Sequence, residues 1–237
     1  MHDACPPMRT AAGPPTVHPD RGNAVLSVNQ TLLATRRAWY MPLLPIYFLA
    51  RRRLPVERDV VQAFLASGGS TREHPGAIDV LEMLSRREFR SVLYTRLRSR
   101  NARFAATAAL LRHIYPGQIA LEISSAQIGP GLSVMHGFAT IVVAQSIGCD
   151  CMIAQQVTIG FKDPQRPPPI IGDRVSVLAG AIVLGEIEVG HDAVIGAGAV
   201  VLSDVPPCAV MVGVPARVLR YNEPREPESA SRQPETA

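Results

Sequence analysis

The sequence contains no apolar run that is long enough to cross a lipid bilayer. The strongly apolar stretch at residues 38–50 falls short of the roughly 20 residues that a membrane-spanning helix needs, and Pro42 and Pro45 interrupt it. Residues 1–25 lack the apolar core of a signal peptide and are rich in proline, glycine and charge. We therefore expect a cytoplasmic protein with a disordered tail over residues 1–25 and no membrane span. Residues 38–50 are expected to pack on a helical domain or at a subunit interface.

The sequence also lacks the patterns of metal-binding and nucleic-acid-binding proteins. Its four cysteines are Cys5, Cys149, Cys151 and Cys208, and no second pair of ligands stands near Cys149 and Cys151. We expect free thiols in a reducing compartment and no metal. The net charge is +4, but the arginines are scattered and no aromatic side chains alternate with them on a basic face. Nucleic-acid binding is therefore not expected.

A six-residue repeat organises the second half of the chain. An aliphatic residue stands at every sixth position from 171 to 201, a period that fits neither an α-helix nor a simple strand. A small or β-branched residue stands four positions after most of these, and glycine follows three of them. The first series is Ile171, Val177, Val183, Val189, Ile195 and Val201, the second is Val175, Ala181, Ile187, Ala193 and Ala199, and the glycines are Gly172, Gly190 and Gly196. The period predicts a parallel β-helix of hexapeptide repeats, with both series facing inward and the glycines at sharp turns.

Helical periodicity precedes this β-helix. Apolar residues recur at helical spacing over residues 55–65, 77–98 and 102–114. The six-residue phase continues upstream to Ile128 and slips by one residue at Ile141. The patterns predict a mainly β protein with α-helices. Its segments are a disordered tail at 1–25, a helical domain at 26–116, a β-helix at 117–220 and a second disordered tail at 221–237.

A regular β-helix is a rigid wall, so we expect its function at the places where the repeat is interrupted. There are three such places: residues 135–140, the proline-rich segment 161–169 and the end cap at 204–217.

Three stretches of sequence resemble a known family. The runs IGAGAVVLSDVPP at residues 195–207 and VGVPARVL at 212–219 resemble the serine O-acetyltransferases. The helical stretch REFRSVLYTRL at residues 87–97 resembles the segment before the β-helix in a shorter, colanic-acid-type branch of that family. The resemblance implies a left-handed β-helix, acetyl-coenzyme A as acetyl donor, and a homotrimer or a dimer of trimers.

A histidine at the first interruption suits the implied chemistry. Transfer of an acetyl group to a hydroxyl needs a base for the hydroxyl proton, and histidine titrates near neutral pH. His136 lies at the interruption and matches the catalytic histidine of the family's Asp-His-Ala-Thr-Gly motif. The other histidines are His2 and His18 in the tail, His74 in a turn, His113 at a helix end and His191 at a repeat corner.

The resemblance extends to further site residues, with departures. Glu122 stands where the family has the aspartate that partners the histidine, but one residue nearer to it; a surface glutamate is the alternative interpretation. Met135 replaces an acidic residue that contacts the amino acid in typical members. Arg166 in the proline-rich segment is a candidate for binding the substrate carboxylate, or else a solvated loop residue.

For coenzyme A, the resemblance implies a groove lined by Gly160, Ala179 and Ala197, with Arg217 and Arg220 near the phosphates. Ordinary repeat packing is the alternative for the alanines. No cysteine or serine stands beside His136, so we expect direct transfer in a ternary complex. The expected acceptor is L-serine, as a step towards cysteine. A sugar or polysaccharide is the alternative acceptor, and a non-catalytic scaffold is a third hypothesis.

Overall fold

A computed structural model describes residues 35, 37–66 and 75–223 of the 237-residue chain. They form a helical part that ends at residue 114 and a solenoid of parallel strands that begins at residue 121. The predicted tail at residues 1–25 lies outside the described residues, as do residue 74 and residues 224–237. Among the helices that the structure describes, none is long and apolar enough to cross a membrane.

Within the described residues, the helical part contains a short 3₁₀ helix and five α-helices, which follow the helical residues 37–40. The 3₁₀ helix is Met41–Leu43, and the α-helices are α1 (Leu44–Arg51), α2 (Val56–Ala66), α3 (Ala77–Ser85), α4 (Arg87–Arg100) and α5 (Ala102–Ile114). Pro42 and Pro45 occupy first-turn positions of the 3₁₀ helix and α1, where a missing N–H costs nothing. The two prolines therefore begin helices instead of breaking one.

The expected continuous periodic stretch at residues 77–98 is two helices. Arg86 has an extended backbone, with φ −86° and ψ 130°, and separates α3 from α4. The carbonyl of Leu84, near the end of α3, accepts a hydrogen bond of 2.6 Å from the buried guanidinium of Arg90. This side chain satisfies a carbonyl group that a longer helix would have paired internally.

The apolar stretch at residues 38–50 packs on the helical part, which confirms one of the two expectations for it. Leu43, Tyr47 and Ala50 are completely or almost completely buried in the helical core, together with Met83 and Leu84. The hydrophobic effect therefore fixes one side of this stretch to α3. Its other side is exposed and includes Trp39, Met41, Phe48 and Leu49.

The solenoid has three faces and about five turns. The first face holds the first halves of β1 and β3, then β5, β8 and β11. The second face holds the second halves of β1 and β3, then β6 and β9, and the third holds β2, β4, β7, β10, β12 and β13. The strands are β1 (Leu121–Ile128), β2 (Ser133–Val134), β3 (Thr140–Ile147), β4 (Met152–Ile153), β5 (Thr158–Gly160), β6 (Ile170–Ile171), β7 (Ser176–Val177), β8 (Ile182–Leu184), β9 (Glu188–Val189), β10 (Val194–Ile195), β11 (Val200–Val201), β12 (Ala209–Val212) and β13 (Arg217–Tyr221). Only β13 is antiparallel to its neighbour among these strands.

The hexapeptide series lines the interior, as the sequence predicts. Every member of the aliphatic series from Ile171 to Val201 is at most 2% exposed. In the second series all residues are buried except Ile187, which is half-buried against the same core. Consecutive turns approach closely at the glycine positions: a methyl group on Gly190 would lie 2.5 Å from the backbone nitrogen of Pro207. Glycine is needed there for space.

Two buried charged residues join the helical part to the first turn of the solenoid. Asp59 of α2 and Arg96 of α4 form a two-pronged ion pair, and each also bonds the solenoid backbone. The N–H groups of Gly131 and Leu132 donate to Asp59, and Arg96 donates to the carbonyls of Ile128 and Gly129. The two parts are thus held in one orientation by directional bonds as well as by apolar contact.

Candidate active site

His136 lies in a two-residue insertion at one edge of the solenoid. Residues Val134 and Ile153 are paired, and so are Ile141 and Thr158. Six residues separate the first members of these pairs, whereas four separate the second members. The N–H of Gln156 bonds to the carbonyl of Phe138 at 2.8 Å, so the two additional residues are His136 and Gly137. The slip at Ile141 in the sequence is the trace of this insertion.

The backbone of the insertion pushes His136 outward. His136 and Gly137 both have positive φ, 58° and 31°. Glycine suits the second position because a methyl group there would come within 3.0 Å of Leu121 and 3.3 Å of Cγ of Glu88. The imidazole is exposed and has no side-chain hydrogen bond within the described part of the chain. It is therefore free to meet a ligand.

A cleft of about 400 Å³ opens beside His136, between the helical part and the first turn of the solenoid. Its solenoid wall consists of Leu132, Ser133, Val134, Met135 and His136, and its helical wall consists of Ala63, Ala66, Arg86, Glu88, Phe89 and Val92. Met135, which directly precedes the histidine in the sequence, is half-buried in this wall. The cleft is large enough for a small polar molecule.

The structure does not bring Glu122 to His136. Glu122 is exposed on the outer side of β1, opposite Ile141, and no hydrogen bond or ion pair joins it to the histidine within residues 75–223. It lines a second cleft, of about 770 Å³, together with Arg98 and Arg112. Helix α4 contributes to both clefts from different sides, with Glu88 in the first and Thr95 in the second.

Arg166 also lies away from His136. It belongs to the loop at residues 161–169 between β5 and β6, which is the edge between the first and second faces. Its guanidinium is 3.6 Å from the carboxylate of Glu186, and both side chains are more than half exposed. His136 lies at the edge between the third and first faces. In a single chain these two edges are separated by the width of the first face.

The residues that are predicted to bind coenzyme A lie at these two edges and on β13. Backbone bonds from Gly180 to Gln155 and from Gly198 to Ala179 stack successive corners above the insertion. We call this the histidine edge, and it consists of His136, Gln155, Ala179 and Ala197. Gly160 is at the opposite edge of the first face, where an added methyl group would meet nothing within 4 Å. Arg217 and Arg220 are exposed on β13, and Arg217 pairs with Val212 in the last turn.

Other reactive side chains have structural roles or are inaccessible. Nδ1 of His191 accepts a hydrogen bond of 2.9 Å from the N–H of Asp173. Burial raises the pKa of the Cys151 thiol to about 12, and the pKa of Cys149 is also raised by burial and then by Asp173. Neither thiol is activated as a nucleophile. Across the part of the chain that the structure covers, no group of three or more potential ligands is placed to hold a metal ion.

The solenoid and its inserted histidine can be compared with known proteins. The family model for the bacterial transferase hexapeptide (six repeats) matches residues 168–203. The serine acetyltransferase of Synechococcus elongatus is 40% identical over 114 residues, which are 46% of this chain and 47% of that protein. The Mycobacterium tuberculosis serine acetyltransferase is 38% identical over 114 residues, 47% of this chain and 46% of that one. The crystal structure of the Neisseria gonorrhoeae serine acetyltransferase in complex with serine has a TM-score of 0.56 and 27% identity, and it covers 77% of this chain and 74% of its own.

Residues 168–203 therefore match the bacterial transferase hexapeptide repeats, and about half of the chain is similar to serine acetyltransferases. The solenoid is the parallel β-helix that the six-residue period predicts, with the left hand that the family resemblance implies. The chain spans about half the length of the curated relatives that it matches.

Two charged residues of the cleft, Arg86 and Glu88, escaped the sequence analysis. Glu88 belongs to the stretch REFRSVLYTRL that carries the family resemblance, and Arg86 directly precedes that stretch. A charged pair beside a family motif was the available signal. Helical periodicity alone assigns both residues to a solvated surface, so the signal was not used.

Proposed function

We propose that this protein transfers the acetyl group of acetyl-coenzyme A to the hydroxyl of L-serine, giving O-acetylserine and coenzyme A. The observation that carries the proposal is the position of His136, an exposed histidine that a two-residue insertion holds beside a small cleft. The matched proteins of Synechococcus and Mycobacterium are serine acetyltransferases, and the Neisseria enzyme was crystallised with serine.

His136 acts as a general base in this proposal. Acetyl-coenzyme A supplies the acetyl group as an activated thioester. His136 accepts the proton of the serine hydroxyl at a ring nitrogen as the hydroxyl oxygen attacks the thioester carbonyl carbon. It then gives the proton to the departing sulfur, so that the imidazole returns to its neutral form. The transfer is direct and forms no acetyl-enzyme. Cys151 on the following turn is not a candidate nucleophile, because it is buried as a protonated thiol. Glu122 stays a predicted partner of His136, without a contact in the single chain that supports it.

Coenzyme A is proposed to lie along the histidine edge. Neighbouring turns of the solenoid are about 4.8 Å apart, so three steps from His136 to Ala197 span roughly 14 Å. Ala179 and Ala197 present only methyl groups along this track, and Arg217 stands near its end on β13. An extended thiol arm with its phosphates near Arg217 and Arg220 would place the thioester at His136.

A trimer is the assembly that we propose. Gly160 and Arg166 occupy one edge of the first face, whereas the histidine edge is the other. Packing of three-sided solenoids about a threefold axis would set these two edges of neighbouring chains against each other. The residues that a single chain keeps apart would then share one groove. Doubling of the trimer through the helical parts is a further proposal.

An acceptor panel tests the proposed reaction. Thiol release from acetyl-coenzyme A is followed with excess L-serine, with pyranoside and polysaccharide acceptors, and with no acceptor. We expect release with L-serine well above the rate without acceptor, and mass spectrometry should identify O-acetylserine. Release with a sugar but not with L-serine would establish the alternative acceptor. Failure to bind coenzyme A in a direct titration would instead favour the scaffold.

A further inference from the structure

Two opposite charges meet in the cleft beside His136. Arg86 is the extended residue between α3 and α4, and Glu88 is in the first turn of α4. Both side chains line the helical wall of the cleft, opposite the residues that lead into the insertion. The remaining helical wall is apolar and includes Phe89 and Val92. The cleft therefore combines one cation, one anion and one exposed imidazole.

Glu88 is partly buried and has no charged partner among the described residues. It makes no hydrogen bond or ion pair with any residue in the described ranges, and its Cγ lies close to the backbone of Gly137. Withdrawing an ionised carboxylate partly from water without a partner costs free energy. Its place in the first turn of α4 is favourable for the helix dipole. The effect on the helix dipole does not require the Glu88 side chain to face the cleft. A cationic ligand would explain why it does.

Arg86 has only a weak partner. Its Nη2 lies 3.7 Å from the carboxylate of Glu82, and both side chains are about 40% exposed. Exposed ion pairs of this kind contribute little to stability, and a bound carboxylate in two-pronged geometry is a stronger partner for a guanidinium. Arg86 can therefore exchange Glu82 for a ligand without loss of the fold.

We propose that Glu88 binds the α-ammonium group of the amino-acid acceptor and that Arg86 binds its α-carboxylate, which directs the side-chain hydroxyl to His136. This inference rests on the proposed function and names the residues that select an amino acid. It also accounts for Met135: an apolar residue beside the histidine contributes no charge for an ammonium group, so the selecting charges come from the helical part. The ligand class is a small zwitterion with a hydroxyl on its side chain.

Acceptor analogues separate the two contacts. Ethanolamine lacks the carboxylate of serine, and 3-hydroxypropionate lacks its ammonium group. Steady-state KM and kcat are measured for each acceptor with wild type, Glu88→Gln and Arg86→Gln. We expect Glu88→Gln to raise the KM for L-serine about ten- to hundredfold, the size expected for loss of a charged hydrogen bond. The same variant should leave the weaker use of 3-hydroxypropionate unchanged. Arg86→Gln should raise the KM for L-serine by a similar factor and leave the KM for ethanolamine unchanged.

Matched controls exclude a merely structural effect. Arg87→Gln removes the neighbouring exposed arginine, and Glu188→Gln removes an exposed carboxylate on the second face. Both controls should keep the wild-type KM, and all four variants should keep the wild-type melting temperature within a few degrees. An unchanged KM for L-serine in Glu88→Gln and Arg86→Gln would overturn the inference while the proposed function stands. An equal rise for serine and for the analogue that lacks the relevant group would overturn it as well. Absence of serine acetylation by wild type would instead refute the proposed function itself.

Discussion

Asp59 and Arg96 form a buried ion pair at the joint between the helices and the solenoid. Nη2 of Arg96 lies 2.7 Å from Oδ1 of Asp59, and the side chains are 4% and 1% exposed. Burial raises the pKa of the Asp59 carboxyl, while the hydrogen bonds and charge of Arg96 and the N–H groups of Leu132 and Gly131 lower it. The pair bonds the backbone on either side of Pro130, at the corner that precedes β2 and the insertion that carries His136. Its integrity therefore determines how the helical wall of the cleft sits on the solenoid.

Removal of Arg96 should destabilise the protein strongly. Arg96→Met leaves the Asp59 carboxylate buried without its cation, and such changes cost about 3–5 kcal/mol. Urea unfolding measures the loss. The matched control is Arg37→Met, because Arg37 pairs with Glu82 at 3.6 Å in a half-exposed position. There we expect a loss of about 1 kcal/mol or less. Equal losses in the two variants would show that the buried pair does not hold the joint.

A charge inside the solenoid should not be tolerated. Val189 is completely buried, and Val189→Asp places a carboxylate in the core without a partner. We expect an unfolded or aggregated protein, measured by circular dichroism and size-exclusion chromatography. Leu202→Asp is the control, since Leu202 is 43% exposed and its variant should fold. A soluble Val189→Asp protein with the wild-type melting temperature would contradict the six-residue register.

Two glycine substitutions should differ in their effect on stability. Gly190→Ala forces a methyl group against the backbone of Pro207 and should cost about 1–3 kcal/mol. Gly160→Ala meets nothing within 4 Å and should change the free energy of unfolding by about 0.5 kcal/mol or less. If coenzyme A passes Gly160, the same variant should nevertheless raise the KM for acetyl-coenzyme A. A wild-type KM would remove Gly160 from the proposed groove.

Cys151 should resist alkylation in the folded protein. Burial raises its pKa to about 12, so the folded side chain is a thiol at pH 8 and the reactive thiolate is suppressed. The raised pKa contributes stability below pH 9, and this contribution is lost as the pH rises from about 9 towards 12. Mass spectrometry after iodoacetamide treatment should find Cys208, which is half-buried, modified before Cys151. In urea both should react alike. Rapid modification of Cys151 in the native protein would contradict its burial.

The solenoid was predictable because its signal is local and periodic. Val183, Val189 and Ile195 all face inward because each occupies the same position of the six-residue repeat. A repeat that keeps one phase over thirty residues is compatible with few other folds. The insertion at His136 was visible as the slip at Ile141. The size of the insertion, two residues, follows from the pairing of Val134 with Ile153, and this pairing cannot be read from the sequence.

The walls of the cleft were not predictable, because contacts distant in sequence determine them. Glu88 reaches the first turn through the Asp59–Arg96 joint and through the bonds of Arg90 to the carbonyl of Pro116. The surroundings of Glu122 in the single chain were not predictable either. Its spacing from His136 matches the family approximately, but alternation along β1 turns Ile123 inward and Glu122 outward, into the other cleft.

Replacement of His136 tests the central claim most directly. Thiol release with saturating L-serine and acetyl-coenzyme A is compared for wild type, His136→Ala and the control His113→Ala, whose histidine is exposed at the end of α5. Loss of a general base should lower the kcat of His136→Ala by roughly a hundredfold or more. Coenzyme A affinity by calorimetry should stay near the wild-type value, and His113→Ala should keep wild-type turnover. A kcat of His136→Ala within a few-fold of wild type, with the fold intact, would contradict the account.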